Sequence, residues 1–94
     1  MTTDELQDRI AHAAQALKEC GAREVYVFGS AARGRLRENS DIDIAVSGLP
    51  PQRFLEAMGK AGRILRRQVD LVDLDESNPF TEYLKTKGEL LHVA

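Results

Sequence analysis

The sequence has little cysteine, no tryptophan and no long apolar run, and these shortages exclude several classes of protein. Its single cysteine, Cys20, cannot form an internal disulfide or build a thiolate metal site. No apolar stretch approaches the roughly 18 residues that a membrane-spanning helix needs. The acidic residues 1–8 also lack the basic and then apolar pattern of a signal peptide. We therefore expect a soluble, cytoplasmic protein that does not associate with membranes.

The sequence also has no large excess of charge of either sign. Thirteen basic residues stand against 15 acidic ones, a formal net charge of −2. Bulk affinity for nucleic acid depends on clustered Lys and Arg that neutralise phosphates, so none is expected, and any phosphate binding must be local. The chain does have an ordinary globular composition, 43% apolar and 30% charged over 94 residues. This fits one domain spanning residues 1–94.

Helical and strand patterns alternate along the chain. An apolar stripe predicts a first helix that stops at Gly21, a turn with a short helix is expected over Gly29–Gly34, and later stripes predict helices from Phe54 and from Pro79. Strands are predicted over Glu24–Phe28, Asp41–Val46 and Gln68–Leu74, with a closing edge strand over Glu89–Val93. This order fits either an α/β or an α+β class, with helices on one or two faces of a small mixed sheet, and leaves the topology open.

The first segment that suggests chemistry is Gly29–Gly34, where a strand runs directly into a glycine and a hydroxyl residue. Gly29 lets a phosphate approach the backbone, Ser30 offers a hydroxyl and an N–H group, and Arg33 can neutralise charge. An ordinary tight turn with a serine cap explains the same residues, so the motif alone is weak. The P-loop and the dinucleotide-binding glycine pattern are excluded because their required residues are missing.

Two aspartates interrupt the second predicted strand. Asp41 and Asp43 are two positions apart, so a strand places both carboxylates on one face, about 6.6 Å apart along the chain. One interpretation is a solvated strand face, since antiparallel sheets often have one. The other is that both carboxylates converge on Mg²⁺, which prefers carboxylate oxygens and removes their mutual repulsion. A calcium-binding EF-hand loop is excluded because apolar residues follow where that loop needs polar ones.

The third predicted strand supplies a further acid. If it pairs beside the second strand, Asp70 shares the face of Asp41 and Asp43. Asp73 lies on the opposite face of the strand and fits a solvated residue where the strand leads into the next turn. Asp70 is therefore the third candidate ligand, and on a neighbouring strand it could also hold a second ion or accept a proton from an attacking hydroxyl.

Together these segments resemble the minimal nucleotidyltransferases of the polymerase-β superfamily, particularly the MntA-type antitoxins that are paired with HEPN-domain toxins. The family pattern is Gly-Ser, ten intervening residues and Asp-x-Asp, and here Gly29-Ser30 is followed by ten residues and then Asp41-Ile42-Asp43. Ala32-Arg33-Gly34, Ser40 and Val69-Asp70-Leu71-Val72 are also similar to the family pattern. One departure is Ala31, where many relatives carry a larger and often basic residue.

The resemblance implies an α+β two-layer sandwich in which helices flank a small mixed sheet. It implies that one or two Mg²⁺ ions are held by the three catalytic carboxylates, Asp41, Asp43 and Asp70. It also implies that ATP or another NTP is bound by Gly29, Ser30, Arg33 and Ser40. In the implied reaction an acceptor oxygen attacks the α-phosphorus and pyrophosphate leaves.

The implied acceptor is a tyrosine hydroxyl of a HEPN-domain toxin, which receives AMP and is thereby silenced, so that the chain acts as an antitoxin. A first alternative is a non-catalytic nucleotide-binding antitoxin that neutralises its partner by stoichiometric binding. A second is transfer to a small-molecule hydroxyl, such as that of an antibiotic, which is disfavoured because it usually demands a larger acceptor pocket.

Overall fold

A computed structural model describes residues 3–34, 40–88 and 90–94 of the chain. Each helix predicted from a stripe is present, and the first three predicted strands form with bounds close to those expected. The closing strand predicted over Glu89–Val93 is shorter, Leu91–His92, and Glu89 lies outside the described residues. The elements are α1 (Thr3–Glu19), β1 (Glu24–Phe28), β2 (Ile42–Ser47), a 3₁₀ turn (Pro51–Arg53), α2 (Phe54–Leu65), β3 (Val69–Asp73), α3 (Pro79–Thr86) and β4 (Leu91–His92).

The four strands form one mixed sheet in the order β3-β2-β1-β4. β1 runs antiparallel to both β2 and β4, whereas β2 and β3 are parallel. A parallel pair needs a crossover connection, and α2 provides it between β2 and β3. The small mixed sheet flanked by helices confirms the predicted fold class.

The main core lies between the sheet and the pair α1 and α2. Successive side chains of β2 point to opposite faces of the sheet, so Ile42, Ile44 and Val46 all lie on this side. None of the three exposes more than 1% of its surface. Val69 and Leu71 of β3 join them, as the parallel register predicts. The lone cysteine also lies in this core: Cys20, just past the end of α1, is completely buried.

The opposite face of the sheet is covered in part by α3. Asn78 caps this helix, as predicted: its side chain accepts from the Thr81 N–H at 2.9 Å, and the Thr81 hydroxyl accepts from the Asn78 N–H at 3.1 Å. Leu84 then packs with Ala45 and Leu74 in a second, smaller apolar cluster. This face also carries the predicted acids, because Asp43 alternates with Ile42 and Ile44.

The short helix predicted within Gly29–Gly34 does not form, and this prediction is wrong. The segment is a succession of turns, closed by hydrogen bonds from the Arg33 N–H to the Gly29 carbonyl at 3.2 Å and from the Gly34 N–H to the Ala31 carbonyl at 3.4 Å. Both glycines adopt positive φ, +64° and +68°, which takes the backbone out of the right-handed helical region at each end.

None of the helices in the described part of the chain is both long enough and apolar enough to cross a lipid bilayer.

Candidate active site

The strand register places the Gly29–Ser30 bend beside Asp43, which is half-buried. Phe28 ends β1 and pairs with Asp43, near the beginning of the antiparallel β2. The chain therefore turns at Gly29 directly next to the Asp43 side chain. Residues that are 14 positions apart in sequence meet because an antiparallel pair brings the end of one strand to the start of the next.

Gly29 and Asp43 are in such close contact that a side chain at position 29 would displace the Asp43 carboxylate. A Cβ atom added there would lie 2.5 Å from Asp43 Oδ2. The positive φ of Gly29 is a second reason for glycine, since residues with a side chain adopt it at a cost. The carboxylate of Asp43 therefore sits directly against the backbone where a phosphate was predicted to bind.

Asp43 and Asp70 are direct neighbours on adjacent strands. They occupy equivalent positions in the parallel register of β2 and β3, so their side chains leave the same face of the sheet with strands about 4.8 Å apart. The two carboxyl groups come within hydrogen-bonding reach of each other. The sequence-based expectation that Asp70 shares the face of Asp43 is borne out in the geometry.

The electrostatics of this pair favour either a proton or a cation between the carboxylates. Partial burial, the charge of Asp70, a hydrogen bond with Asp70 and the charge of Asp41 all raise the pKa of Asp43 above its ordinary value. Two carboxylates this close cannot both ionise without repulsion. A bound Mg²⁺ ion would remove that repulsion, and oxygen donors are its preferred ligands.

Asp41 lies at the margin of this arrangement. It is exposed, directly before the first residue of β2, and its charge acts on Asp43. Among the described residues, no group of three or more His, Cys, Asp and Glu side chains is gathered into a metal-binding cluster. The structure thus brings two of the three predicted ligands together, Asp43 and Asp70, and leaves Asp41 near them on the exposed side.

The predicted nucleotide-binding residues surround the acids at different depths. Ser30 and Arg33 are exposed on the turns after β1, while Ser40 is half-buried just before Asp41. Sequence reasoning missed Arg67, whose Nη1 donates to the Ser40 carbonyl at 3.3 Å and so ties the end of α2 to the segment that carries Asp41. No spacing rule indicates this contact, because it joins residues that are 27 positions apart.

An aromatic wall completes the site on the side of α3. Phe28 and Phe80 meet edge to face, with ring centroids 6.2 Å apart and planes at 63°. Phe28 pairs with Asp43 across the antiparallel strands, so the wall stands beside the acids. A glycine-serine bend, adjacent strand carboxylates and an open sheet face together define a site suited to phosphoryl-group chemistry.

Comparison with known proteins identifies the class. Residues 10–93 match the family described as polymerase beta, nucleotidyltransferase. The chain is 36% identical over 76 residues to the protein adenylyltransferase MntA of Thermococcus cleftensis, covering 77% of each chain.

Solved structures agree with this match. A toxin–antitoxin crystal structure with AMP-PNP superposes with a TM-score of 0.68 and 30% identity, covering 89% of this chain and 70% of the other. A MntA–HpeT variant, in which two aspartates two positions apart are replaced by glutamate, superposes with a TM-score of 0.66 and 27% identity over the same shares.

The chain therefore belongs to the polymerase beta nucleotidyltransferase family, and it is a nucleotidyltransferase. The predicted family, fold and enzyme class are all confirmed.

Proposed function

We propose that this chain transfers AMP from ATP to a tyrosine hydroxyl of a HEPN-domain toxin in a Mg²⁺-dependent reaction, and so acts as an antitoxin. The observation that carries the proposal is the pair Asp43 and Asp70, side by side on parallel strands and directly against Gly29. A carboxylate pair beside a glycine bend provides a place for a metal ion and a triphosphate within reach of each other.

In this proposal Asp41, Asp43 and Asp70 hold Mg²⁺, which neutralises the triphosphate and stabilises the departing pyrophosphate. The fit is supported by the raised pKa of Asp43, whose neighbouring carboxyl groups favour a cation over two unscreened charges. Asp41 is exposed, so its side chain can turn toward the pair without disturbing the core.

The remaining roles follow from position. Gly29 and Ser30 bind the triphosphate through their backbone and the serine hydroxyl, Arg33 adds positive charge, and Ser40 lines the same side. The tyrosine oxygen attacks the α-phosphorus, the bond from that phosphorus to pyrophosphate breaks, and the hydroxyl proton passes to the carboxylate of Asp70. Asp70 suits this role because its side chain is exposed on the face of the sheet that carries Asp43, where an incoming hydroxyl has access.

Relatives support the substrate and the partner. The MntA protein of T. cleftensis is a protein adenylyltransferase, and one structural neighbour is a toxin–antitoxin pair with AMP-PNP. In another neighbour two aspartates with the spacing of Asp41 and Asp43 were replaced, which agrees with a functional role for such a pair. The described residues form one sheet and its helices, with no separate acceptor domain among them, so a partner protein fits as the acceptor.

The test is transfer to the partner encoded beside this chain, measured as intact mass after incubation with each NTP and Mg²⁺. We expect the mass of AMP to be added with ATP, and the addition to be lost with a chelator and in Asp41→Asn, Asp43→Asn and Asp70→Asn. Asp73→Asn is the matched control, because Asp73 lies on the same strand but on the opposite parity. A partner that gains no nucleotidyl mass with any NTP would contradict the proposal.

Titration distinguishes the stoichiometric-binding alternative. An enzyme silences excess toxin at substoichiometric amounts and needs NTP, whereas an inhibitor by binding needs an equal amount of itself and neither NTP nor the acids. If Asp43→Asn protein without NTP neutralises the toxin as well as wild type, the alternative is correct.

A further inference from the structure

The two outer strands of the sheet differ in length. β4 covers two residues, whereas β3 covers five, Val69–Asp73, and has a sheet neighbour on one side only in the described part of the chain. Long outer strands invite pairing with another strand, and proteins that avoid such pairing shorten them or interrupt them with proline or lysine. β3 contains neither proline nor lysine, and its charged residues are Asp70 and Asp73.

The unpaired main-chain groups of β3 can be identified. The Gln68 carbonyl and the Leu74 N–H both hydrogen-bond to β2, at 3.0 and 2.8 Å. Backbone groups alternate in direction along a strand, so the residues between them at odd positions point away from β2. These outward residues are Val69, Leu71 and Asp73. Val69 and Leu71 each present an N–H and a carbonyl at the free edge, whereas Asp73 presents its N–H there and its carbonyl accepts from the Glu76 N–H at 3.2 Å.

Apolar surface borders this edge on both sides. A groove of about 610 Å³ runs beside it and is lined by residues that include Leu55, Leu71 and Phe80. A second groove of about 280 Å³ continues along α2 past Met58 to Gly62. Leu55, which lines both grooves, exposes 76% of its surface, and Phe80 exposes 50%. Such exposure next to an open strand edge indicates a surface that is covered in an assembly.

The charged residues on either side of β3 indicate which strand pairs with its free edge. Arg66 and Arg67 precede the strand, and Asp75 and Glu76 follow it. Two copies of β3 that run antiparallel place the basic flank of each copy beside the acidic flank of the other. A parallel arrangement would instead bring like charges together, so the pattern is complementary to itself only in an antiparallel pair.

The register of such a pair is also determined. In an antiparallel ladder, residues that point toward the partner strand face each other. All three outward residues are used when Leu71 lies on the two-fold axis, because Val69 then faces Asp73 of the second copy. In this register Asp70 faces Val72 rather than its own counterpart. Arg66 and Arg67, just before β3, then lie at the end of the ladder where β3 of the second copy runs into the turn that carries Asp75 and Glu76.

We propose that β3 forms the interface of a two-fold symmetric homodimer, in which two sheets join into one sheet of eight strands. The dimer places both candidate active sites on the same face of this sheet. The Gly29–Ser30 bend follows β1, two strands inward from the interface, so the proposed triphosphate-binding part of the site stays accessible. The proposal is independent of the proposed function, because its test requires neither nucleotide nor partner.

The experiment measures dimer dissociation by sedimentation velocity over a range of concentrations. Arg66 and Glu76 are both exposed, so Arg66→Glu and Glu76→Arg alter charge without disturbing the core. Each reversal occurs twice in the dimer, and we expect each to raise the Kd about tenfold. The double variant restores opposite charges, and its Kd should return to within about threefold of wild type.

Lys18→Glu is the matched control, since it reverses an exposed charge at the end of α1, away from β3, and should leave the Kd unchanged. Three results would each overturn the proposal: a wild-type chain that is monomeric up to about 1 mM, a dimer that is indifferent to both single reversals, or a double variant that stays as weak as the singles. A chain that is monomeric alone but loses its toxin partner on Arg66→Glu would assign the edge to that partner instead.

Discussion

At Gly29 a single hydrogen atom in place of a side chain allows the backbone and the Asp43 carboxylate to touch. Two requirements coincide at this position: the positive φ and the 2.5 Å approach that an added Cβ would make to Asp43 Oδ2. The chain has a second turn glycine, Gly34, with nearly the same φ of +68° but nothing within 4 Å of an added Cβ. Substitutions at Gly29 and Gly34 therefore distinguish the effect of the positive φ from the effect of contact with the Asp43 carboxylate.

We expect Gly29→Ala to weaken Mg²⁺ and ATP binding by at least about tenfold, because the new methyl displaces the Asp43 carboxylate. It should also lower the free energy of unfolding by about 1–3 kcal/mol through backbone strain and the clash. Urea unfolding and titration calorimetry measure the two effects. Gly34→Ala should lose about 1 kcal/mol from the backbone alone and keep ligand binding, so equal loss of binding in both variants would show that contact with Asp43 is unimportant.

The residues that carry the site illustrate what sequence can and cannot predict. The spacing of Gly29-Ser30 from Asp41 and Asp43 is visible in the chain, because it lies within one hairpin-like unit. That Asp70 stands beside Asp43 depended on the assumption that β3 pairs with β2, which no local pattern determines. The Arg67 contact to Ser40 depends on both the end of α2 and the start of β2, so it could be seen only in the folded chain.

At the scale of elements, α3 shows how a short helix is held in place by its first turn. It has eight residues, and isolated helices of that length are unstable in water. Asn78 and Thr81 bind each other's N–H groups, and the Thr81 hydroxyl also donates to the Glu76 carbonyl at 2.5 Å. Thr81 is 1% exposed, so these bonds are protected from water.

We expect Asn78→Ala to destabilise the protein by about 1 kcal/mol, since it removes the side-chain half of the capping box. Because Phe80 belongs to the same helix, loosening it should also increase the exposure of the aromatic wall. Urea unfolding measures the loss of stability, and amide hydrogen exchange of residues 80–86 measures the loosening of the helix that carries Phe80. Ser77→Ala, one position earlier and exposed, is the control and should change stability by less than about 0.5 kcal/mol.

Sequence patterns that extend over only a few residues predicted most of the helices and strands correctly. They failed at Gly29–Gly34, where turns form in place of the predicted short helix. A strand is predicted by the alternation of Ile42, Ile44 and Val46, and the start of a helix is predicted by Asn78-Pro79. Each pattern involves only a few neighbouring residues. Within Gly29–Gly34 the same rules suggested a short helix, but positive φ at both glycines interrupts the helical hydrogen-bond pattern. The order β3-β2-β1-β4 lies beyond such rules, since it records which strands meet after the chain has folded.

At the scale of the whole molecule, the charged form of Asp43, a candidate metal ligand, opposes the stability of the fold. The pKa of Asp43 is raised in the folded state, so the folded protein holds this proton more tightly than the unfolded chain does. Stability is therefore greatest below the ordinary pKa of an aspartate and falls as pH rises through the raised value. At neutral pH the charged carboxylate costs stability that a metal ion would restore.

We expect Asp43→Asn to raise the Tm of metal-free protein by about 2–5 °C at pH 7, because the neutral amide removes the repulsion. The gain should disappear near pH 3, where the wild-type carboxyl group is protonated in both states. Thermal unfolding followed by circular dichroism at the two pH values, with a chelator present, makes the measurement. Mg²⁺ should then raise the Tm of wild type but not of the variant.

Asp73→Asn is the control for this comparison. Its carboxylate accepts from the Asp75 N–H at 2.9 Å and lies off the face of the acid pair, so the variant should gain no stability at pH 7. If Asp43→Asn also gains none, the like-charge repulsion inferred for the pair is too weak to affect the fold.

The burial of Cys20 has a practical consequence for watching this molecule work. It is the sole cysteine of the chain and exposes none of its surface, so a thiol-reactive dye added to the folded protein finds no native target. A cysteine introduced at the exposed position of Ser77, outside the candidate site, would then carry the dye alone. Fluorescent or spin reporters can thus be attached at a chosen point without first removing a native thiol.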